Sequence, residues 1–214
     1  MQSIRLHNVI PEVFAQREDL RSDIWLSDFE LERGKRYLIE AESGAGKSSL
    51  CSYLYGQRDD YRGEILFDGE DIRRFTVGEW SRLRQRSVAI LFQDLKLFDE
   101  LTALENVELK NRLTKTQSRA TILSWFEELG IADKVNAPVG RMSYGQQQRV
   151  ALIRALCQPL DFLLLDEPIS HLDDRNSEVM RDIILRETER QGAASIVTSI
   201  GKHIDLNYDK VVRL

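Results

Sequence analysis

One heptapeptide limits the fold of this 214-residue chain more than anything else in it: Ser43-Gly44-Ala45-Gly46-Lys47-Ser48-Ser49. A short apolar run at residues 37–41 leads into it, and a helical pattern over residues 47–55 leads away. Glycines at 44 and 46 let backbone N–H groups turn inward around phosphate oxygens, and the following helix points its positive end at the same place. Lys47 is then placed to reach β- and γ-phosphates, and the Ser48 hydroxyl to ligate Mg²⁺. An ordinary glycine-rich turn accounts for the glycines but not for the Gly-Lys-Ser order. The full motif begins with Gly, and Ala41 stands there instead, a residue small enough for the strand exit.

A second feature needs the same sheet. Phe162-Leu163-Leu164-Leu165 is wholly apolar, as a parallel strand covered on both faces must be, and it delivers Asp166 and Glu167 to its carboxyl end. Ligands bind at that edge in open α/β folds. Asp166 suits a Mg²⁺ ion held through its water shell, and Glu167 suits orienting or deprotonating a water that attacks a γ-phosphate.

Strand patterns at residues 4–9, 24–31, 64–67, 87–92, 194–198 and 210–214 alternate with helical ones at 145–157 and 173–191, which predicts an α/β architecture with a mostly parallel sheet. From residue 102 to 130 the apolar positions repeat at three- and four-residue steps with no strand-like run between them. The expectation is one domain over residues 1–214, with a core of 1–93 and 145–214 and a helical subdomain at about 94–144. A net charge of -5 argues against wholesale nucleic-acid binding, and the densest basic run (Arg73, Arg74, Arg82, Arg84, Arg86) reads as a solvated helix face. No stretch approaches the roughly 20 apolar residues of a membrane span, and no signal peptide is visible. Cys51 and Cys157 lack metal-type spacing and read as small core residues of a reducing compartment.

The third feature is Met142-Ser143-Tyr144-Gly145-Gln146-Gln147-Gln148-Arg149. With Phe92-Gln93 after one strand and Ser170-His171-Leu172-Asp173 after the paired carboxylates, it closely resembles the nucleotide-binding subunit of ATP-binding cassette (ABC) proteins, over essentially the whole chain. The resemblance implies a P-loop NTPase (RecA-like) core with an antiparallel β arm, and ATP with Mg²⁺ as ligands. It makes Ser143, Tyr144, Gly145 and Gln146 the signature loop, with Met142 and Tyr144 as departures from Leu-Ser-Gly-Gly-Gln. Gln93 becomes the glutamine that touches Mg²⁺ and couples to a membrane partner, Asp173 the aspartate of the loop after the carboxylates, and Phe14 the aromatic that stacks on adenine. The Ser143 hydroxyl and the Gly145 N–H at a positive helix end suit a γ-phosphate, which in this family belongs to the opposite subunit's nucleotide. A head-to-tail homodimer or paired ABC subunit follows, with a separate integral membrane permease and a peripheral cytoplasmic location.

Where the family carries a γ-phosphate-sensing His, this chain has Ser199. His203 lies nearby but reads as a surface residue. Serine is shorter and cannot carry charge, so binding of Mg-ATP with slow hydrolysis is expected. The residues 91–107 look most like the group serving lipoprotein release, macrolide efflux and cell division. Rival readings are a nucleotide kinase, which would not need Ser143 to Gln146, a soluble non-transport ABC ATPase, and a regulatory ATP-binding module.

Overall fold

Two kinds of strand pattern end in two different sheets. A computed structural model describes residues 1–17, 20–169 and 174–214. The alternating segments β1 (Ser3–Pro11), β2 (Asp28–Glu32), β4 (Tyr61–Phe67) and β5 (Glu70–Asp71) form an antiparallel sheet in the order β2-β1-β4-β5. The more apolar segments, with β3 and β9 carrying charged ends, make the other sheet. β3 (Arg36–Glu40), β6 (Val88–Leu91), β7 (Phe162–Asp166), β8 (Ala194–Ser199) and β9 (Lys210–Arg213) pair in parallel, in the order β6-β7-β8-β3-β9. Every residue of β6, β7 and β8 is buried, because helices or the arm cover both faces.

The helices are α1 (Lys47–Leu54), α2 (Val77–Arg86), α3 (Ala103–Thr114), α4 (Arg119–Glu128), α5 (Tyr144–Ala155) and α6 (Asp174–Gln191). Capping boxes start three of them: Thr76 with Glu79, Thr102 with Glu105, and Ser143 with Gln146. The core divides along the parallel sheet. Phe162, Leu164 and Ile39 point into a cluster with α1 and the arm, whereas Leu163, Leu165 and Leu38 point into one that includes Trp125 and Phe126 of α4. The helices of residues 103–128 therefore share a continuous core with one face of the sheet. Cys51 and Cys157 are buried free thiols in separate clusters, as expected of core residues.

Two expectations change. The strand pattern at 24–31 yields a strand only from Asp28. Ser22 Oγ accepts the Ile24 and Trp25 N–H groups (3.0 and 2.8 Å), and this local turn displaces the ladder there. In the basic run Arg73, Arg74, Arg82 and Arg86 are exposed, as read, but Arg84 is half-buried: it stacks between Tyr55 and Trp80 and donates to the carbonyls of Tyr55 and Gly56. Gly63 is required by a close approach. The register between β1 and β4 shifts between His7 and Ile10, and a Cβ at Gly63 would stand 2.3 Å from the Asn8 carbonyl oxygen.

Candidate active site

The carboxyl ends of β3, β6, β7 and β8 line one edge, and the loop of residues 41–46 leaves it from β3. Gly44 and Gly46 have φ of 81° and 102°, a region open to glycine, which turns the loop back on itself at the start of α1. A Cβ at Gly46 would press on Phe14 Cε2 at 3.1 Å and Trp25 Cζ2 at 3.2 Å. Those two rings therefore support the loop from beneath. Trp25 also donates its indole N–H to the Ala45 carbonyl (3.2 Å). Its role was invisible in the sequence because it sat inside an apparent strand; the signal available was Ser22, a turn former three residues earlier.

Lys47 is 5% exposed, and its ammonium donates to the carbonyls of Ala41 and Glu42 (3.2 and 3.0 Å). It also lies 3.5 Å from Glu167 Oε1. Ser48 donates to Gln93 Oε1 and Gln93 Nε2 donates to Glu167 Oε2, both at 3.3 Å. Four residues from three separate segments, the start of α1 and the exits of β6 and β7, thus close one polar chain: Ser48, Gln93, Glu167, Lys47. Glu167 reaches it because its φ is 52°, a left-handed conformation that breaks the strand's alternation right after Asp166. Asp166 stays on the sheet, 5% exposed, accepting the Thr198 hydroxyl at 2.6 Å. The Glu167 N–H donates to Thr198 O (3.2 Å), so β8 fixes both carboxylate-bearing residues.

Other expected site residues are placed differently. Ser43 and Gly44 are exposed on the loop, Ala45 and Gly46 are half-buried in it, and Ser49 accepts a hydrogen bond from Arg58 (3.1 Å). Phe14 is 6% exposed, against the loop, with the Arg17 guanidinium 4.5 Å above its ring. Ser199 is 2% exposed, and its hydroxyl donates to the Lys202 carbonyl at 2.7 Å, into its own loop. His203 is exposed. The segment Ser170 to Asp173 lies outside the described residues.

At the start of α5 the Ser143 hydroxyl accepts the Gln146 N–H (3.4 Å) and Ser143 N–H donates to Gln146 Oε1 (2.9 Å). A capping hydroxyl still has its own proton to donate, so capping and anion contact are compatible there. Met142 is buried in the core, the position its apolar side chain requires. Tyr144 donates its hydroxyl to the Gln93 carbonyl, a contact the sequence gave no sign of. Burial, and then the negative charges of Asp94 and Glu167, raise the phenol's pKa, which keeps it a donor.

The donor set fits a nucleotide with Mg²⁺. A glycine cradle at a helix start, a lysine at its centre, and hydroxyl, amide and carboxylate oxygens beside it are hard ligands of the kind that a phosphate-bound Mg²⁺ takes.

The ABC transporter family model matches residues 26–170. The lipoprotein-releasing system ATP-binding protein LolD of Syntrophotalea carbinolica is 30% identical, over 93% of this chain and 88% of its own length. The macrolide export ATP-binding/permease protein MacB of Shewanella sp. (strain ANA-3) is 31% identical over 93% of this chain, but the chain spans only 30% of that relative. Among solved structures, the dimeric structure of MJ0796, a bacterial ABC transporter cassette, has a TM-score of 0.82 at 25% identity, covering 99% of this chain and 94% of that one.

Proposed function

The chain belongs to the ABC transporter family as one of its ATP-binding ATPase cassettes, and from that premise we propose that it pairs head to tail on ATP to drive a separate membrane permease. The observation that carries the ATPase reading is the closed polar chain Ser48–Gln93–Glu167–Lys47. Lys47 would neutralise β- and γ-phosphate charge, Ser48 and Gln93 would hold Mg²⁺ with Asp166 behind them, and Glu167 would take the proton of the attacking water. Mg²⁺ would supply neutralisation of phosphate charge there.

The pairing rests on the placement of Ser143 and Gly145 at the start of α5, a positive helix end where the capping Ser143 hydroxyl can still donate to a phosphate. In this reading residues 94–144 form a helical subdomain on a core of 1–93 and 145–214. No helix among the described residues is long and apolar enough to cross a membrane, so the permease would be another polypeptide or another part of a longer one. A groove of about 250 Å³ beside Phe92 presents the exposed side chains of Phe98, Leu109 and Leu113, an apolar surface next to Gln93 where such a partner would dock. The protein would then sit at the inner face of the cell membrane. Ser199, buried in its own loop, favours a cassette with weak intrinsic hydrolysis.

Mixing a Lys47→Ala subunit with a Ser143→Arg subunit tests the shared site. Each variant alone is expected to be inactive. The mixture should recover partial ATPase activity, because one composite site keeps both an intact Lys47 and an intact Ser143. Absence of recovery where heterodimers demonstrably form would refute the head-to-tail arrangement.

A further inference from the structure

We infer that Tyr144 is a positioning residue that ties the start of α5 to Gln93, so that the nucleotide state of one site is passed to the phosphate-contacting loop that serves the other. This rests on the head-to-tail reading above. Three observations support it. Tyr144 is the first residue of α5, directly after the capping Ser143, and its hydroxyl donates to the backbone carbonyl of Gln93. The side chain of that same Gln93 is bonded to Ser48 and Glu167, the two residues that would hold Mg²⁺ and the attacking water. One helical turn on, on the same face of α5, Gln148 is 2% exposed and its Nε2 stands 3.5 Å from the Glu167 carbonyl.

The α5 start is therefore held to the catalytic segment of its own subunit at two points, one on each side of the Gln93–Glu167 contact. With Mg²⁺ held at Ser48, the Gln93 amide would exchange its bond to Ser48 for one to the ion, and any accompanying movement of the Gln93 backbone would reach Tyr144 through the Gln93 carbonyl. A glycine at position 144 would leave that movement uncoupled from Ser143 and Gly145. The tyrosine hydroxyl transmits it. Coupling between two sites needs a differential contact of this kind, and values of about 5- to 150-fold in affinity are typical.

The experiment compares the parent with Tyr144→Phe, which keeps the ring and removes only the hydroxyl. Binding of a fluorescent ATP analogue is measured at protein concentrations that keep the chain monomeric, and steady-state ATPase is measured against Mg-ATP concentration. The parent should show positive cooperativity, with a Hill coefficient approaching about 2, the number of sites. Tyr144→Phe should bind the analogue within about twofold of the parent while its Hill coefficient falls to about 1, a separation that a merely structural role would not produce. A Hill coefficient unchanged in Tyr144→Phe overturns the inference, as does a parent that dimerises on Mg-ATP without cooperativity.

A parent that never dimerises defeats the head-to-tail reading instead. The link within one subunit is then still open to test by 3-fluorotyrosine at position 144 in the Ser143→Arg chain. Its ¹⁹F resonance should move when Mg-ATP binds the monomer, and a stationary resonance overturns the link itself. The same measurement decides the matter if Tyr144→Phe fails to fold.

Discussion

β7 and β8 lie side by side in the sheet, in register from Phe162↔Ala194 to Asp166↔Thr198, yet their ends do different things. The strand β7 ends in Asp166 and then Glu167, whose left-handed backbone throws the carboxylate into contact with Lys47 and Gln93. The strand β8 ends in Ser199, whose hydroxyl turns away to the Lys202 carbonyl. What β8 gives the site comes one residue earlier, from Thr198, which is fully buried and holds Asp166. The difference teaches that the position after a strand is decided by backbone geometry as much as by residue type. A left-handed turn made Glu167 a participant. A hydroxyl satisfied within its own loop left Ser199 beside the site rather than in it.

Removing the participant should have the largest effect. Glu167→Gln keeps the shape and the hydrogen bond from Gln93 but not the base, and turnover should fall by about 10²–10⁴-fold, the usual range for a general base. Nucleotide binding by calorimetry should be retained, and gel filtration with Mg-ATP should show a trapped dimer. Unchanged turnover with a monomeric profile would remove Glu167 from the role assigned to it.

Thr198→Val deletes the hydroxyl behind Asp166 at constant shape. Partners behind a metal ligand typically contribute about 10–100-fold in metal affinity. The Mg²⁺ concentration for half-maximal ATPase should rise by about tenfold, with little change at saturating Mg²⁺. A shift no larger than that of Ser199→Ala would mean that β8 supports Asp166 by packing alone.

The opposite intervention is Ser199→His. A preorganised donor at developing phosphate charge is worth about 10²–10³ in rate, so turnover should rise by up to that factor if the imidazole escapes the Lys202 carbonyl. Steady-state ATPase with His203→Ala alongside measures it. Fast parental turnover that His203→Ala abolishes and Ser199→His does not improve would put His203 in the sensing position. The smallest effect belongs to Ser199→Ala, expected to leave turnover within about twofold, because the lost hydrogen bond serves only the loop of residues 199–202.

Much of this site was legible because its chemistry is carried by adjacent residues in sequence. Gly44, Gly46, Lys47 and Ser48 must lie within one short loop to wrap a phosphate, and an apolar run ending in Asp166-Glu167 after such a loop reads as a buried strand with charges at its exit. The mostly parallel α/β sheet followed from strands alternating with helices, whereas the antiparallel arm was implied only by the family resemblance.

The tertiary structure decided what depends on side chains meeting from distant segments. Trp25 under the loop and the Tyr144 hydroxyl on the Gln93 carbonyl leave no periodic trace in the chain, because they are contacts across 20 residues and across 51. Ser199 shows the same limit from the other direction. Its identity is written in the sequence, but the way its hydroxyl points was settled by a competing acceptor three residues on, and hydrogen-bond competition of that kind is resolved only when the loop has closed.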